Sequence, residues 1–312
     1  MLRVFKTSDD GTLEKLKNIE TNTWIDLVEP TEEEIKEVVE KTDIPANLLI
    51  KLLDSDEVAR IEKEDDATLI IIDVPYVIDK KIKNKYSTLP LGIISYKNYL
   101  VTIAVKETEV VQDVMENRVK SVFTMKKSRF LIQILHRVAT LYLKYLKEIN
   151  LEIEAKEKNL INATNNKYLL QLMNIQKSLV YFVTSLKSND IILEKLEKGN
   201  LIEFYEEDMD VLEDAIIENR QGIETSLIYR EIVASLQETY SGVISNNLNE
   251  IMKFLAGITI VFSIPTMIAS FMGMNVPLGV LANNDYSFMF IMSISIFSAF
   301  VIALILKKKD ML

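Results

Sequence analysis

The chain has no cysteine, one histidine, six prolines and eight glycines in 312 residues. Without cysteine there is no disulfide framework and no thiolate metal site. The lone histidine, His136 in LIQILHRV, reads as a structural side chain on an amphipathic helix, since no cysteine or second histidine could share a metal with it. The opening MLRVFKTSDD has no apolar stretch, so no signal peptide is expected. There is no G-x-x-x-x-G-K-S/T phosphate loop, no nucleophile–base constellation and no cofactor loop. An enzyme is therefore not expected, and neither nucleotide nor nucleic acid is expected as a partner.

Charge is missing in two places. Lys253 is the last charge before a stretch that runs uncharged to Asn284, and after Asp285 another lasts until Lys307. Each holds an apolar run of about 19–21 residues, enough to cross a hydrocarbon core of ~30 Å. Phe254–Met272 and Ser287–Leu306 are the predicted spans. The competing reading, a buried helical hairpin in a soluble protein, fits poorly with two such runs side by side. The composition, 48% hydrophobic yet 26% charged, also suggests a soluble part joined to a very apolar one. Lys253 precedes the first span, Lys307, Lys308 and Lys309 follow the second, and the link between them has no Lys or Arg. Both termini are therefore expected in the cytoplasm, with the protein multi-pass in the cell (inner) membrane.

What is present upstream falls into two patterns. Residues 1–125 read as a mixed α/β cytoplasmic domain. Trp24–Leu27, Thr68–Val74, Leu91–Ser95 and Tyr99–Val105 have strand composition. Thr31 and Glu34 have capping-box spacing at the head of TEEEIKEVVEK. Residues 126–253 read as a helical domain and stalk, with helices near Ser128–Leu160, Lys167–Ser188 and from about Phe204 onward. Breaks are expected at Asn162–Asn166 and Gly199–Asn200. The third helix meets no proline until Pro265, so it can run into the first span as one rod on the order of 100 Å. Such a rod needs partners to cover its apolar positions, which an oligomer of parallel stalks supplies. Residues 254–312 form the membrane domain with a basic tail.

Within the first span, steps of three and four link Asn249, Met252, Ala256, Thr259, Ser263, Thr266 and Ser270 on one face. Most are small or hydroxylated. Small residues at this spacing let membrane helices approach closely; the alternative is a polar stripe facing water in a pore built from several copies. Asn249 at one end and Asn275 at the other favour the pore. Pro265 frees the carbonyl of Val261 and is read as a tolerated bend. Glu206, Glu207, Asp208, Asp210, Glu213 and Asp214 crowd the start of the stalk, where acids favour the helix dipole.

Gly273–Met274–Asn275, at the outer end of the first of two closely spaced C-terminal spans and followed by a terminal lysine cluster, resembles the signature of the CorA family of magnesium transporters. The resemblance continues through NLNEIMKFL (Asn247–Leu255) and VLEDAIIENRQ (Val211–Gln221). It is looser in WIDLVEPTEEE (Trp24–Glu34), ARIEKEDDATLIIIDV (Ala59–Val74) and TLPLGII (Thr88–Ile94). It implies a funnel-shaped homopentamer in which the stalk helix lines the pore and the second span packs outside it. It implies potential-driven uptake of Mg²⁺, with Co²⁺ or Ni²⁺ as further cargo, gated by cytoplasmic Mg²⁺. Gly273, Met274 and Asn275 would form the selectivity filter, and Asn249, Met252, Thr266 and Asn275 take the family's pore positions. Asp214, with Asp210 beside it, would bind a regulatory Mg²⁺ between subunits, with Asp73 and Asp79 as candidate partners from a neighbour. One departure is the outer loop: many members carry an acidic MPEL-like segment, whereas this chain has VPLGVLANND.

Mg²⁺ gives up its water reluctantly, so a ring of Asn275 side-chain oxygens would bind the hydrated ion through its shell, and Gly273 would permit the turn that brings the ring to the axis. Two other functions compete. Relatives sharing the GMN tripeptide export Zn²⁺, which the absence of cysteine and the single histidine disfavour. A membrane-anchored sensor that conducts nothing is disfavoured by the polar stripe.

Overall fold

Four apolar runs and three segments of mixed charge form a seven-stranded sheet: β1 (Leu2–Thr7), β2 (Leu13–Leu16), β3 (Trp24–Val28), β4 (Arg60–Glu64), β5 (Ala67–Val77), β6 (Tyr86–Tyr96) and β7 (Tyr99–Ala104), in the order β2-β1-β3-β7-β6-β5-β4. The computed structural model describes residues 1–8, 10–54, 57–64, 66–78, 86–120, 122–158, 167–199, 202, 204–274, 285–309 and 311. Asp79 and Asn275 lie outside the described residues. The chain divides into two units, Met1–Gln237 and Glu238–Leu312.

In the first unit β3 runs parallel to β7, and the other paired strands are antiparallel. Alternate residues face opposite sides of a strand, and here both sides are covered. Trp24, Ile70, Ile72, Val74, Leu91, Ile93 and Leu100 join one core; Ile25, Leu27, Leu69, Ile71, Ile94, Val101 and Ile103 join the other. This is why the runs read as continuously apolar and not as alternating. The second core is closed by α1 (Glu32–Thr42) and α2 (Ala46–Lys51). The first is closed by α3 (Glu109–Met115), α4 (Lys127–Lys158), α5 (Lys167–Glu197) and the first part of α6 (Glu206–Met272).

β5 and β6 are longer than their β-branched cores, each carrying a proline. Pro90 of β6 pairs with Asp73, one step beyond Leu91, where β7 ends. Pro75 of β5 lies beyond Ile71, where β4 ends. Each proline therefore sits where its strand has lost one neighbour and a missing N–H breaks no ladder. At Thr31 the capping box forms: its hydroxyl accepts from Glu34 N at 3.3 Å, and its own N–H donates to Glu34 Oε2 at 2.9 Å. α5 continues past the expected end at Ser188 to Glu197. Asn189 faces the sheet, donating to Asp73 O at 2.8 Å and accepting from Asp73 N at 2.9 Å, and the apolar period resumes at Ile192, Leu193 and Leu196, all buried.

The second unit contains the rest of α6 and α7 (Ser287–Lys308). α6 is one helix of 67 residues that passes through Pro265 without a break. The most apolar windows of α6 and α7 have mean hydropathy 1.9 and 2.6, yet only 6% and 11% of these windows is buried. The core helix of a soluble protein would be mostly covered, so these two helices have the exposure expected of spans and not of a buried hairpin.

Candidate functional site

In the second unit each helix has one shielded face. On α6 it is made by Gly257, Ile258, Val261, Ile264, Pro265, Ile268 and Met272, and on α7 by Ser287, Ile291, Ser295, Ser298, Ala299, Ile302 and Leu306, with Val301 and Ala303 flanking it. Both sets recur at three and four residues, as one face of a helix requires. Asn249, Met252, Ala256, Thr259, Ser263, Thr266 and Ser270 are all exposed. At about 100° per residue, this stripe lies roughly 180° around α6 from the shielded face. The stripe is thus not used for packing within the chain. Pro265 belongs to the shielded side, so the carbonyl it frees on Val261 also lies away from the stripe.

Three hydroxyls of the stripe share a polarity. Thr259 donates to Leu255 O at 2.8 Å, Ser263 to Ile260 O at 2.9 Å and Thr266 to Phe262 O at 2.9 Å. A hydroxyl has one proton and two lone pairs. With the proton committed to the helix's own carbonyls, what remains outward is acceptor oxygen. The stripe presents partial negative charge without a carboxylate. Thr259, Ser263, Thr266 and Ser270 line a groove whose walls include Phe262, Met267 and Phe271. The sequence reading did not single out these three as part of the site. The available signal was a bulky residue beside each small one, a shape that accepts a neighbouring helix.

At the end of α6, Gly273 N donates to Ala269 O at 3.0 Å and Ser270 O at 3.2 Å, and Met274 N to Phe271 O at 3.3 Å. Gly273 does not have a left-handed φ, and an added Cβ would meet only those two carbonyl oxygens at 3.6 Å. Within one chain, therefore, this turn does not require glycine. Met274 is exposed.

The acidic start of α6 separates into two kinds of residue. Asp208 is 2% exposed, accepts from Arg129 at 3.3 Å and has its other oxygen unpartnered, whereas Asp210 and Asp214 are exposed. Asp73 is half-buried; burial raises its carboxyl above the ordinary range, opposed by a hydrogen bond with Ser185. Its carbonyl also accepts from Tyr142 at 3.1 Å. Among the described residues no three Asp, Glu or His side chains gather as a metal site.

Comparison with known proteins agrees over the whole length. A family profile described as CorA-like Mg²⁺ transporter protein matches residues 20–308. The cobalt/magnesium transport protein CorA of Methanocaldococcus jannaschii is 27% identical over 311 residues, 95% of each chain. The Thermotoga maritima protein of the same name is 23% identical over 279 residues, 88% of this chain and 78% of its own. The complete structure of the Methanocaldococcus jannaschii CorA magnesium transporter matches with a TM-score of 0.81 at 27% identity, over 99% of this chain and 96% of that one.

Proposed function

The chain belongs to the CorA-like Mg²⁺ transporter family, a family of divalent-cation transporters, and from that premise we propose that it is a homopentameric channel that takes up hydrated Mg²⁺. It would sit in the cell membrane with both termini in the cytoplasm. The names of its relatives, cobalt and magnesium transport proteins, support Mg²⁺ with Co²⁺ as a second cargo. The observation that carries the reading is the stripe on α6: exposed, opposite the shielded face, and offering acceptor oxygen at Thr259, Ser263 and Thr266.

Water in the shell of a cation points its protons outward. Acceptor oxygens facing a pore therefore meet the shell with the right polarity, and the ion need not be stripped, which Mg²⁺ resists. Neutral hydroxyls and the Asn275 amide bind more weakly than carboxylates would, so the ion leaves quickly. The membrane potential supplies the drive. At ~2.3 kcal/mol per charge per 100 mV, a divalent ion gains ~4.6 kcal/mol, about three decades of concentration.

An uncoupled channel with that drive must close. Asp214 and Asp210, exposed on α6, are the proposed ligands for a regulatory Mg²⁺, with Asp73 or Asp79 from a neighbouring copy completing the site. The donor set is all oxygen and suits a hard cation, and it is complete only with a second chain. Bound Mg²⁺ would neutralise facing carboxylates and hold the stalks closed.

The test is flux into liposomes holding the full chain, with Mg²⁺, Co²⁺ and Zn²⁺ compared at set potentials. Mg²⁺ influx should rise with inside-negative potential, and Thr266→Leu should lower it while the detergent-solubilised assembly keeps the mass of five chains. A monomer or dimer by mass, or influx indifferent to potential, contradicts the proposal.

A further inference from the structure

Among the described strands one pair is parallel, β3 beside β7, and these two send the chain to opposite faces of the sheet. β3 leads into α1, which packs on the second core, and β7 leads into α3, which packs on the first. Connections that part in this way leave a crevice outside the carboxyl ends of the strands, the place where open α/β sheets bind ligands. A crevice of about 500 Å³ lies there, within the size range of small-molecule sites. Glu29 N donates to Ala104 O at 3.0 Å, so the residue after β3 is fixed beside the end of β7, and Lys106 follows two residues beyond Ala104. Glu29 holds its place with a φ of 44°, a left-handed conformation that disfavours any residue with a Cβ.

The charges lining the crevice fall into two groups. Glu107 accepts from Arg3 at 2.8 Å, and Glu109 accepts from Lys144 at 2.6 Å and from the hydroxyl of Tyr145. Among the described residues the Glu29 carboxylate has no ion-pair partner, and the Lys106 ammonium has none either, resting 5.1 Å from the centre of the Tyr76 ring. Gln112, with both a donor and an acceptor to offer, lines the same crevice. One unanswered charge of each sign therefore borders a single cavity. A phosphate would meet Lys106 but also the carboxylates of Glu29, Glu107 and Glu109. A simple cation would meet Glu29 but also Lys106. A bound metal would need gathered acids, and among the described residues no three form such a set. A small molecule with an ammonium and a carboxylate answers both charges.

We propose that the crevice at the ends of β3 and β7 binds a small zwitterion of the amino-acid type, its carboxylate on Lys106, its ammonium on Glu29 and its body beside Tyr76 and Gln112. None of these four residues belongs to the stripe or to the proposed regulatory acids, so the site stands or falls apart from the channel reading.

The test is ligand-observed saturation-transfer NMR on the full chain in nanodiscs, with a mixture of the standard amino acids as the probe. At least one of them should receive saturation. Glu29→Gln and Lys106→Met change exposed side chains and should leave the melting temperature unchanged. Each should weaken the best binder about fivefold, the size of one partly exposed ion pair. Converting that amino acid's carboxylate to an amide should weaken it by a like factor in wild type and leave it indifferent to Lys106→Met, since the charge that lysine would hold is gone. Saturation of no amino acid overturns the site. Saturation that is equal in wild type and both variants is adventitious contact and overturns it as well.

Discussion

Replacing Thr266 with valine keeps the shape of the side chain and removes its one oxygen. That oxygen donates to Phe262 O at 2.9 Å and turns its lone pairs to the exposed side of α6. Ser293 on α7 is built the same way: it is exposed and donates to Met289 O at 2.8 Å. Losing either hydroxyl costs its helix a comparable back-bond, so Ser293→Ala controls for everything except position. A net hydrogen bond is worth about 1 kcal/mol. If a hydrated ion at the barrier touches one or two threonines of the ring, Thr266→Val raises that barrier by about 1–2 kcal/mol, or about 5- to 30-fold in flux. Ser293→Ala should change flux less than about twofold, an exposed hydroxyl facing no ion being worth a few tenths of a kcal/mol. The assay is Mg²⁺ influx at fixed potential with equal protein per liposome, and a melting curve for each variant. Equal losses in the two variants, or undiminished flux in Thr266→Val, would refute the assignment of the pore face.

Asn275→Ala should abolish Mg²⁺ selectivity or transport, read as Mg²⁺ against Co²⁺ flux; an unchanged ion preference counts against the filter. Asp214→Lys should supply a tethered positive charge in place of the regulatory ion and flatten the dependence of flux on internal Mg²⁺, whereas an identical inhibition curve returns Asp214 to the role of a helix-end acid. Burial holds the Asp73 carboxyl above its ordinary pKa; a raised folded value favours the fold at low pH and loses that contribution as pH rises through it. At neutral pH Asp73→Asn should therefore raise the melting temperature in Mg²⁺-free buffer, and should lose part of any gain that Mg²⁺ gives wild type; equal melting of both chains in both buffers argues against it. In the sheet, a Cβ on Gly92 would fall 2.4 Å from Leu52 Cδ1, a side chain only 2% exposed, so Gly92→Ala should destabilise the first unit by about 1–3 kcal/mol, measured by denaturation of the full chain.

Local chemistry was legible where it acts locally. Thr31 and Glu34 announce their capping box by spacing alone, and the buried strands announce themselves by apolar runs rich in β-branched residues. The stripe was legible because hydroxylated and small residues recur at helical spacing in a run otherwise bulky. What escaped depended on partners distant in sequence. β1, β2 and β4 mix charges with apolar residues and become strands through pairing, as when Arg60 to Glu64 line up against Ile71 to Ala67. α5 runs beyond Ser188 because Asn189 finds its partner in the backbone of Asp73, which lies far away in the sequence. Among the six acids at the head of α6, composition and spacing do not separate Asp208, held by Arg129, from Asp214, which is exposed. Gly273 permits the turn at the end of α6, and within one chain that turn also leaves room for a methyl group.

Because the stripe and the shielded face are opposite sides of one unbroken rod, α6 keeps time along its length. A residue added or deleted between Asn249 and Ser270 would rotate everything beyond it by about 100°, carrying hydroxyls off the open side and bulky side chains onto it. Seven residues would bring the faces back to within about 20°, and eleven would do so from the other direction. This stretch can accept many changes of letter while rejecting nearly every change of length.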